Sequence, residues 1–364
     1  MRYTTFGSKS GLRVSELGLG TSNFGTKWAT GTDKAGSLAI LDRFGKAGGT
    51  FIDTADTYQQ GDSELYLADF LANDRDHFGV ASKFTFGTAG QTGVGKTGNS
   101  RKAMKQSLEA TLRRLSTDFL DLYWVHSPDF VTPIDEVVEG LDDLVRAGKI
   151  LYGGLSNFPA WQVAEAVTAS RAFGRNPIIG TQFEYSLAAR DGERDLIPMA
   201  ESLGLGAALY SPLGGGLLTG KYRLSPEGRL TTLNSIIQRE DTQLKTAVVD
   251  TLLALSAETG LEPAVLAIAW LRARNVRSAT ALVAIVGPRT LAQLDSYLAA
   301  LEVELEDEHY RRLDEASRPV LGIPHDSGIE TRNAVLGGIA AGFVLPAGPR
   351  AVPAARADEG AHGA

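Results

Sequence analysis

The sequence predicts an α/β fold, a closed (β/α)8 TIM barrel with an N-terminal β-hairpin and a C-terminal extension. Short apolar segments with strand character alternate with segments of helical period along most of the 364 residues. Eight such strand–helix units follow one another, which favours a closed barrel over a doubly wound sheet. The first strand also lacks the GxGxxG turn of doubly wound nucleotide-binding folds, because residues 17–21 read Leu-Gly-Leu-Gly-Thr.

The elements are predicted in the order that a barrel requires. A hairpin of residues 3–6 and 12–14 comes before the first barrel strand. The predicted strand–helix units are 17–20 with 34–47, a strand ending at 53 with 63–71, a strand ending at 83 with a helix opening at 100, 122–126 with 134–147, 153–156 with 160–172, 179–183 with 194–203, 207–210 with 243–258, and 282–286 with 291–301. One extra helix is predicted near residues 263–274.

The chain is predicted to have two parts. Residues 1–320 form the barrel, and residues 321–364 form a C-terminal tail that is partly packed or disordered, because its composition shifts to Gly, Ala and Pro. Within the tail, residues 334–345 are apolar enough to form a helix that packs across the barrel mouth.

Composition limits the possible functions. The formal net charge is −7 and no segment concentrates Lys and Arg, so we expect no nucleic-acid partner. With no cysteine there is no disulfide or thiolate site, and the scattered histidines predict no metal site. No apolar run has the length of a signal peptide or a membrane span, so we expect a cytoplasmic protein without a membrane partner.

Four residues carry the predicted chemistry. Asp53, Lys83 and His126 each end a predicted strand, and Tyr58 follows the first of them. Because the carboxyl ends of parallel strands meet at one rim of a barrel, we expect the four side chains to lie together. A tyrosine with a pKa near 10 donates a proton poorly at neutral pH; a lysine ammonium beside it favours the phenolate, and a carboxylate keeps the lysine charged. With a histidine to hydrogen-bond the oxygen being protonated, this group suits carbonyl reduction.

A pattern typical of nucleotide-hydrolysing proteins occurs at residues 90–97, which read Gly-Gln-Thr-Gly-Val-Gly-Lys-Thr. In a working P-loop a helix begins directly after this pattern and its N-terminal amides hold the phosphates. Here Gly98 and Asn99 intervene, and Ser100 is the better helix cap. We therefore interpret the segment as a flexible active-site loop.

Several motifs in register resemble one known family. Residues 51–58, Phe-Ile-Asp-Thr-Ala-Asp-Thr-Tyr, are similar to the first signature of the aldo-keto reductase family. Ser82-Lys83 and Trp124-Val125-His126 match the positions of its lysine and histidine. Gly-Gly-Leu-Ser-Asn-Phe at 153–158, Thr-Gln-Phe-Glu-Tyr-Ser at 181–186 and Tyr-Ser-Pro-Leu at 210–213 follow in the family's order. The resemblance covers about residues 1–317.

The resemblance implies a barrel that binds NADPH without a Rossmann domain and reduces an aldehyde or ketone. It implies that Tyr58 is the general acid, that Lys83 and Asp53 tune it, and that His126 orients the carbonyl. Relatives that reduce an enone C=C bond carry glutamate in place of this histidine, so carbonyl reduction is favoured.

The same resemblance implies a set of cofactor-binding residues. These are Gly20 and Thr21 beside the nicotinamide, Ser156, Asn157 and Gln182 at its carboxamide, Tyr210 on its ring, Ser211, Leu213, Gly215 and Lys221 at the pyrophosphate, and Gly287, Arg289 and Gln293 at the adenosine 2′-phosphate. Because a guanidinium binds phosphate bidentately, Arg289 favours NADP(H) over NAD(H).

The sequence departs from the family pattern near the adenine, where an acidic residue followed by Asn is common and Ser296 and Tyr297 stand here. We expect Tyr297 to stack instead. Specificity is expected from the loops above the barrel, in which Phe24, Trp28 and Phe130 offer apolar surface and Trp28 and Phe130 are candidate substrate contacts. The partner is a small-molecule carbonyl substrate that the sequence does not specify further, and the oligomeric state is not predicted.

Two other functions stay open. Lys83 at a strand end could form a Schiff base as aldolase lysines do, although a neighbouring Asp53 opposes the depressed pKa that this chemistry needs. The barrel could also be a non-catalytic, NADPH-binding regulatory subunit. A cofactor-linked activity assay separates these from a reductase.

Overall fold

The computed structural model describes residues 1–88, 92–223, 239–339 and 342, and within these ranges the chain forms ten β-strands and eleven α-helices. The strands are β1 (Tyr3–Thr5), β2 (Arg13–Ser15), β3 (Leu17–Gly20), β4 (Phe51–Asp53), β5 (Gly79–Phe84), β6 (Leu120–Val125), β7 (Ile150–Ser156), β8 (Ile178–Glu184), β9 (Gly206–Tyr210) and β10 (Leu282–Val286). The helices are α1 (Lys34–Lys46), α2 (Asp62–Leu71), α3 (Arg101–Leu115), α4 (Ile134–Arg146), α5 (Ala160–Ala172), α6 (Leu196–Leu203), α7 (Gln243–Thr259), α8 (Pro263–Val276), α9 (Leu291–Ala299), α10 (Asp307–Ala316) and α11 (His325–Val335).

Strands β3 to β10 form a closed parallel barrel, in which β10 pairs with β3 to complete the ring. Strands β1 and β2 form a separate antiparallel hairpin, with Tyr3 opposite Ser15. The predicted fold class is therefore confirmed, as is the extra helix before the last strand. Most predicted bounds differ by a few residues, because periodicity defines an element better than it defines its ends.

Large side chains fill the barrel interior from below. Phe6, which follows the hairpin's first strand, packs edge-on against Trp124, with 6.1 Å between the ring centroids, and both side chains are fully buried. Two glycines provide the room. A Cβ on Gly154 would lie 2.4 Å from a ring carbon of Trp124, and one on Gly180 would lie 2.4 Å from a ring carbon of Phe6. Chemistry is thus confined to the opposite rim, where the strands end.

Side-chain caps begin four of the described helices, α1, α3, α7 and α9. Asp33 accepts a hydrogen bond from the Gly36 N–H at the start of α1, and Ser100 accepts one from the Ala103 N–H at the start of α3. The helix after the P-loop-like segment therefore begins at the predicted cap. Residues 92–99 are not helical, and residues 90 and 91 lie outside the described ranges.

The C-terminal region differs from the prediction in two ways. Helix α10 was not predicted, because its sequence is highly charged and Leu313 is the one residue that it buries. In the tail, helix α11 ends at Val335, so it does not continue into the helix predicted over residues 334–345. Gly337 and Gly338, which follow it, have φ values of 69° and 79°. Residues 340–341 and 343–345 of that predicted helix lie outside the described residues.

The tail helix α11 buries none of its residues. At its start, His325 Nε2 lies 3.4 Å from a carboxylate oxygen of Asp195, just before α6. The division of the chain at residue 320 stays a prediction, as does a partly packed or disordered tail, most of which lies outside the described residues.

No single helix in the described ranges is long and apolar enough to cross a membrane. Helices α7 and α8 reach that length and composition only as a pair that is bent by 103°. Much of their apolar surface is buried in the core, where Leu252, Leu266 and Trp270 lie.

Candidate active site

The four predicted catalytic residues lie together at the carboxyl rim of the barrel. Asp53 is the last residue of β4, Lys83 is the fifth of the six residues of β5, and His126 follows β6 directly. Tyr58 begins a 3-10 turn five residues after β4. The parallel register places these strand ends side by side, as the sequence predicts.

Lys83 is at the centre of this group. Its fully buried ammonium donates to Asp53 Oδ2 at 2.5 Å, to the Thr54 carbonyl oxygen at 2.8 Å and to the Tyr58 phenol oxygen at 3.1 Å. All three N–H groups of the ammonium thus have an acceptor. The second oxygen of Asp53 accepts a hydrogen bond from Gln182 Nε2 at 3.0 Å, so the carboxylate is held from two sides.

Burial and nearby charges act in opposite directions on the pKa values of Lys83 and Tyr58. Burial lowers the pKa of Lys83, but Asp53 and Tyr58 raise it, and the net direction is upward. Burial raises the pKa of Tyr58, and this exceeds the lowering by Lys83. The sequence argument, in which lysine favours the phenolate, is therefore incomplete, because burial dominates. Tyr58 is a neutral phenol beside a charged lysine at neutral pH.

His126 lies edge-on to the tyrosine, with 5.9 Å between the ring centroids. Burial and the nearby Lys83 charge lower its pKa well below 6.5, so the imidazole is neutral at pH 7. Its Nδ1 atom is buried without a hydrogen-bond partner among the described residues. The described part of the chain contains no group of three or more His, Asp or Glu side chains that could hold a metal ion.

Amide and hydroxyl side chains continue the rim beyond His126. Asn157 donates through Nδ2 to the His126 carbonyl oxygen at 2.8 Å and to Ser156 Oγ at 3.1 Å. Its Oδ1 atom accepts from the Tyr210 hydroxyl at 2.8 Å. Ser156 and Gln182 are adjacent across β7 and β8. The donor and acceptor groups expected at a carboxamide are therefore brought together.

A turn after β9 presents bare backbone. Ser211, Gly214, Gly215 and Gly216 all have positive φ, and Leu213 is largely buried between them. A Cβ on Gly216 would lie 3.0 Å from Lys221 Cε, so a side chain there would press on the lysine. A glycine-rich backbone beside an ammonium fits a phosphate group.

The strand β10 ends at a second polar turn. The Arg289 N–H donates to Gln293 Oε1 at 2.8 Å, and the Gly287 carbonyl accepts from Asn23 Nδ2 at 2.8 Å. Among the described residues, no carboxylate forms an ion pair with the half-buried Arg289 guanidinium. This residue set fits an anionic group.

Gly20 and Thr21 lie beside this turn, because β3 is the strand next to β10 in the barrel. A Cβ on Gly20 would lie 2.9 Å from Ile285 Cγ2, so the glycine allows the close approach of β3 to β10. The Thr21 N–H donates to the Asp53 carbonyl oxygen at 3.0 Å, which places Thr21 directly beside the catalytic group.

The two unusual residues near the expected adenine end have protein partners. Ser296 donates to a Glu262 carboxylate oxygen at 2.5 Å. Tyr297 is half-buried and packs against the hydrophobic core. That packing restricts the tyrosine, and its expected stacking on adenine stays a prediction.

Aromatic side chains lie beside Tyr58 and His126. Trp28 lies edge-on to Tyr58, with 6.3 Å between ring centroids, and Phe86 lies edge-on to His126 at 4.9 Å. Phe130 is 75% exposed, and its substrate contact stays a prediction. The expectation for Phe24 is wrong, because its side chain is fully buried in the core. Phe86 was missed, because it lies beyond the end of β5, after Thr85 with its φ of 143°, where strand periodicity no longer predicts the direction of a side chain.

A buried carboxyl beneath the site was also missed. Asp56 is 2% exposed and its Oδ1 atom has no hydrogen-bond partner in the described structure. Burial and the nearby Glu64 raise its pKa to about 7, despite lowering contributions from Arg114 and Lys83. Within the signature at 51–58 this aspartate resembles a simple turn residue, and nothing local in the sequence marks it as buried.

Comparison with known proteins agrees with this geometry. Residues 16–318 match the model of the aldo/keto reductase family. The chain is 34% identical to the norsolorinic acid reductase of Aspergillus flavus over 89% of its own length and 83% of that protein. It is 34% identical to an aryl-alcohol dehydrogenase [NADP(+)] of Phanerodontia chrysosporium and 31% identical to a putative aryl-alcohol dehydrogenase of Saccharomyces cerevisiae, in each case over 89% of this chain and 88% of the relative.

The match covers the whole barrel, and it includes the strand ends that carry the catalytic group. Relatives at this identity and coverage share a fold and a broad reaction class. The chain belongs to the aldo/keto reductase family, and it is an oxidoreductase that acts on carbonyl or alcohol substrates.

Proposed function

We propose that the protein is an NADPH-dependent reductase that converts an aldehyde or ketone to an alcohol, with Tyr58 as the general acid. The observation that carries this proposal is the set of three hydrogen bonds made by Lys83. Because the lysine donates to the phenol oxygen, the hydroxyl hydrogen of Tyr58 is left to donate to a substrate. As the proton leaves, the adjacent ammonium stabilises the phenolate.

The remaining residues have separate roles in this proposal. Asp53 keeps Lys83 charged and in place, and neutral His126 donates a hydrogen bond to the carbonyl oxygen through Nε2. Nδ1 is buried without a hydrogen-bond partner among the described residues, and we assign the single proton of the neutral imidazole to Nε2, where it can reach a substrate. Together they orient the carbonyl and place one proton on its oxygen.

When bound, NADPH supplies the hydride that reduces the carbonyl carbon. The residues proposed to hold it are Gly20, Thr21, Ser156, Asn157, Gln182, Tyr210, Ser211, Leu213, Gly215, Lys221, Gly287, Arg289 and Gln293. Gln182 already donates through Nε2 to Asp53, so it would use Oε1 toward the carboxamide. The Arg289 guanidinium, which forms no ion pair with a carboxylate of the described residues, supports NADPH over NADH, as does the NADP(+) in the name of one relative.

The proposed substrates are aromatic carbonyl compounds. Trp28 and Phe86 stand edge-on to the two residues that would hold the carbonyl oxygen, and both could contact a flat ring. The names of the two aryl-alcohol dehydrogenases point to the same class. Phe130 is a further candidate contact.

The Schiff-base alternative has little support, because it needs a neutral lysine and the pKa of Lys83 is raised. The regulatory alternative is decided by turnover. We propose a cytoplasmic location.

Two measurements test the proposed function. NADPH binding is followed by quenching of tryptophan fluorescence, beside NADH, and a panel of aliphatic and aromatic aldehydes is followed through NADPH absorbance. Turnover of any aldehyde with NADPH is expected. Tight binding without turnover across the panel would favour the regulatory alternative, and absence of binding would refute the cofactor assignment.

A further inference from the structure

The loop between β3 and α1 forms one wall of the proposed substrate site. It carries Trp28, whose ring lies edge-on to Tyr58 with 6.3 Å between centroids. A loop of this length without regular structure needs specific contacts to hold an aromatic ring in one place. One residue, Gln59, supplies such contacts.

One buried side-chain amide makes three hydrogen bonds to this loop. Gln59 Oε1 accepts from the Trp28 N–H at 2.8 Å, and Nε2 donates to the carbonyl oxygens of Ser22 and Thr30 at 3.2 Å each. Its side chain is fully buried. The amide therefore forms hydrogen bonds with backbone groups at the start, the middle and the end of the loop. Its oxygen faces an N–H donor, and its nitrogen faces carbonyl acceptors.

The loop packs closely on this side chain. A Cβ on Gly25 would lie 2.4 Å from Gln59 Cβ, and one on Gly31 would lie 3.3 Å from Nε2. Gln59 itself has left-handed backbone angles, φ 48° and ψ 34°, a conformation that costs a non-glycine residue about 1 kcal/mol or more. The turn that carries the proposed general acid thus has a strained backbone at Gln59, and this conformation places the Gln59 side chain beneath the loop.

We propose that Gln59 is the positioning residue that holds Trp28 against the general acid, and that it thereby sets the preference of the site for aromatic over small aliphatic carbonyl substrates. The inference rests on the proposed reductase function. Tyr58 and Gln59 are consecutive, so one turn fixes both the proton donor and the aromatic wall. A shift of the wall changes the fit of a ring and has less effect on a small aldehyde, which makes few contacts with it.

Other side chains hold the ends of the loop without Gln59. Ser63 donates to the carbonyl oxygens of Thr21 and Phe24, each at 2.8 Å, and Thr32 Oγ1 donates to the Arg289 carbonyl oxygen at 2.8 Å. A change at Gln59 is therefore expected to release the segment around Trp28 while the loop ends and the barrel stay in place.

The test is the Gln59→Met variant with Gln60→Met as its matched control. Both glutamines have left-handed backbone angles, but Gln60 is exposed. Methionine keeps the length of the side chain and removes the amide. With NADPH, the ratio of kcat/KM for benzaldehyde to kcat/KM for propanal is expected to fall about tenfold or more in Gln59→Met, mainly through the KM for benzaldehyde, since all three hydrogen bonds that hold the loop around Trp28 are lost. The control is expected to keep the wild-type ratio.

A second readout does not depend on activity. Of the four tryptophans, Trp124 and Trp270 are fully buried, and Trp161 is 64% exposed. In a Trp161→Phe background, acrylamide quenching reports chiefly on Trp28. Quenching is expected to increase with Gln59→Met and to stay unchanged with Gln60→Met.

The outcomes separate the two proposals. A lower ratio with increased quenching supports the inference, whereas an unchanged ratio, equal losses for both aldehydes, or unchanged quenching in a folded variant overturns it. If the wild-type protein reduces neither aldehyde, the proposed function fails for these substrates, and the quenching comparison alone decides whether Gln59 positions Trp28.

Discussion

The ammonium of Lys83 donates a hydrogen bond to the phenol oxygen of Tyr58 across 3.1 Å, and this lysine has no N–H left for any other acceptor. The contact has two effects on the tyrosine. It occupies a lone pair of the oxygen, so the hydroxyl hydrogen is directed elsewhere, and it places a positive charge where the phenolate would form. Burial raises the pKa of the phenol and keeps it protonated, as the proposed general acid must be.

The first prediction concerns Tyr58→Phe. This change removes the hydroxyl and keeps the ring that packs against Trp28 and His126. We expect kcat to fall about 10²–10⁴-fold, the usual contribution of general acid catalysis. The Kd of NADPH should change little, because the ring is retained. Steady-state kinetics and fluorescence titration measure the two quantities, and near-wild-type turnover would disprove the assignment of the acid.

The second prediction concerns the buried charge pair. The side chains of Lys83 and Asp53 are 0% and 3% exposed. Lys83→Met leaves the carboxylate buried without its main partner, and breaking such a pair typically costs about 3–5 kcal/mol of unfolding free energy. The double variant Lys83→Met/Asp53→Asn removes both charges, so we expect it to be more stable than the single variant although still inactive.

Urea unfolding of the wild type, Lys83→Met, Asp53→Asn and the double variant measures this difference. Comparison of the double variant with both single variants isolates the coupling between the two charges. Strictly additive losses would show that the pair contributes no coupling energy and would contradict the prediction.

The barrel could be predicted from the sequence because strand and helix periods repeat eight times, and the resulting register then brings Asp53, Lys83 and His126 to one rim. These residues are close together because of the order of the strands in the barrel, and the alternation of strands and helices along the sequence predicts that order well. The helix over Asp307–Ala316 could not be recognised in this way, since tertiary contacts through Leu313 stabilise it more than any visible pattern.

Burial was the property that the sequence did not reveal. Phe24 lies in a polar loop segment but packs fully into the core, and Gln59 is a polar side chain that is fully buried under a loop. The direction of the Tyr58 pKa also depends on burial, because proximity to Lys83 alone predicts the opposite direction. Each of these outcomes depends on long-range packing.

The third prediction concerns Asp56, whose pKa is raised from 3.8 to about 7 by burial and by Glu64. The folded protein then binds the proton more tightly than the unfolded chain does. The contribution of this group to stability is full below about pH 4 and is lost as the pH rises toward 7. Arg114, Lys83 and the Thr57 N–H act in the lowering direction and limit the shift.

Asp56→Asn removes this titration while it keeps the shape of the side chain. We expect the stability of the variant relative to wild type to increase between pH 5 and pH 7 by on the order of 2 kcal/mol, since each unit of pKa difference corresponds to about 1.4 kcal/mol. Urea unfolding of both proteins at the two pH values provides the measurement. Parallel pH dependences would mean that Asp56 is ionised throughout this range.

The fourth prediction concerns cofactor choice. The backbone of Arg289 is fixed on both sides, because its N–H donates to Gln293 Oε1 and its carbonyl oxygen accepts from Thr32 Oγ1, each at 2.8 Å. The half-buried guanidinium extends from this fixed position, and a phosphate on the adenosine ribose would supply the anion that it lacks. Arg289→Ala removes the cation and leaves these backbone contacts possible, so the effect should be specific to that phosphate.

We expect Arg289→Ala to raise the Kd of NADPH about 10–100-fold, the usual loss for charge-assisted hydrogen bonds, and to change the Kd of NADH far less. Arg289→Lys keeps a point charge without the planar fork of the guanidinium. Its Kd for NADPH should therefore lie between the values for the wild type and for Arg289→Ala. Fluorescence titration with NADPH and NADH gives the cofactor preference of the wild type, of both Arg289 variants and of Gln60→Met, which serves as a distant control. Equal weakening of NADPH and NADH would show that Arg289 supports the site as a whole and does not read the 2′-phosphate.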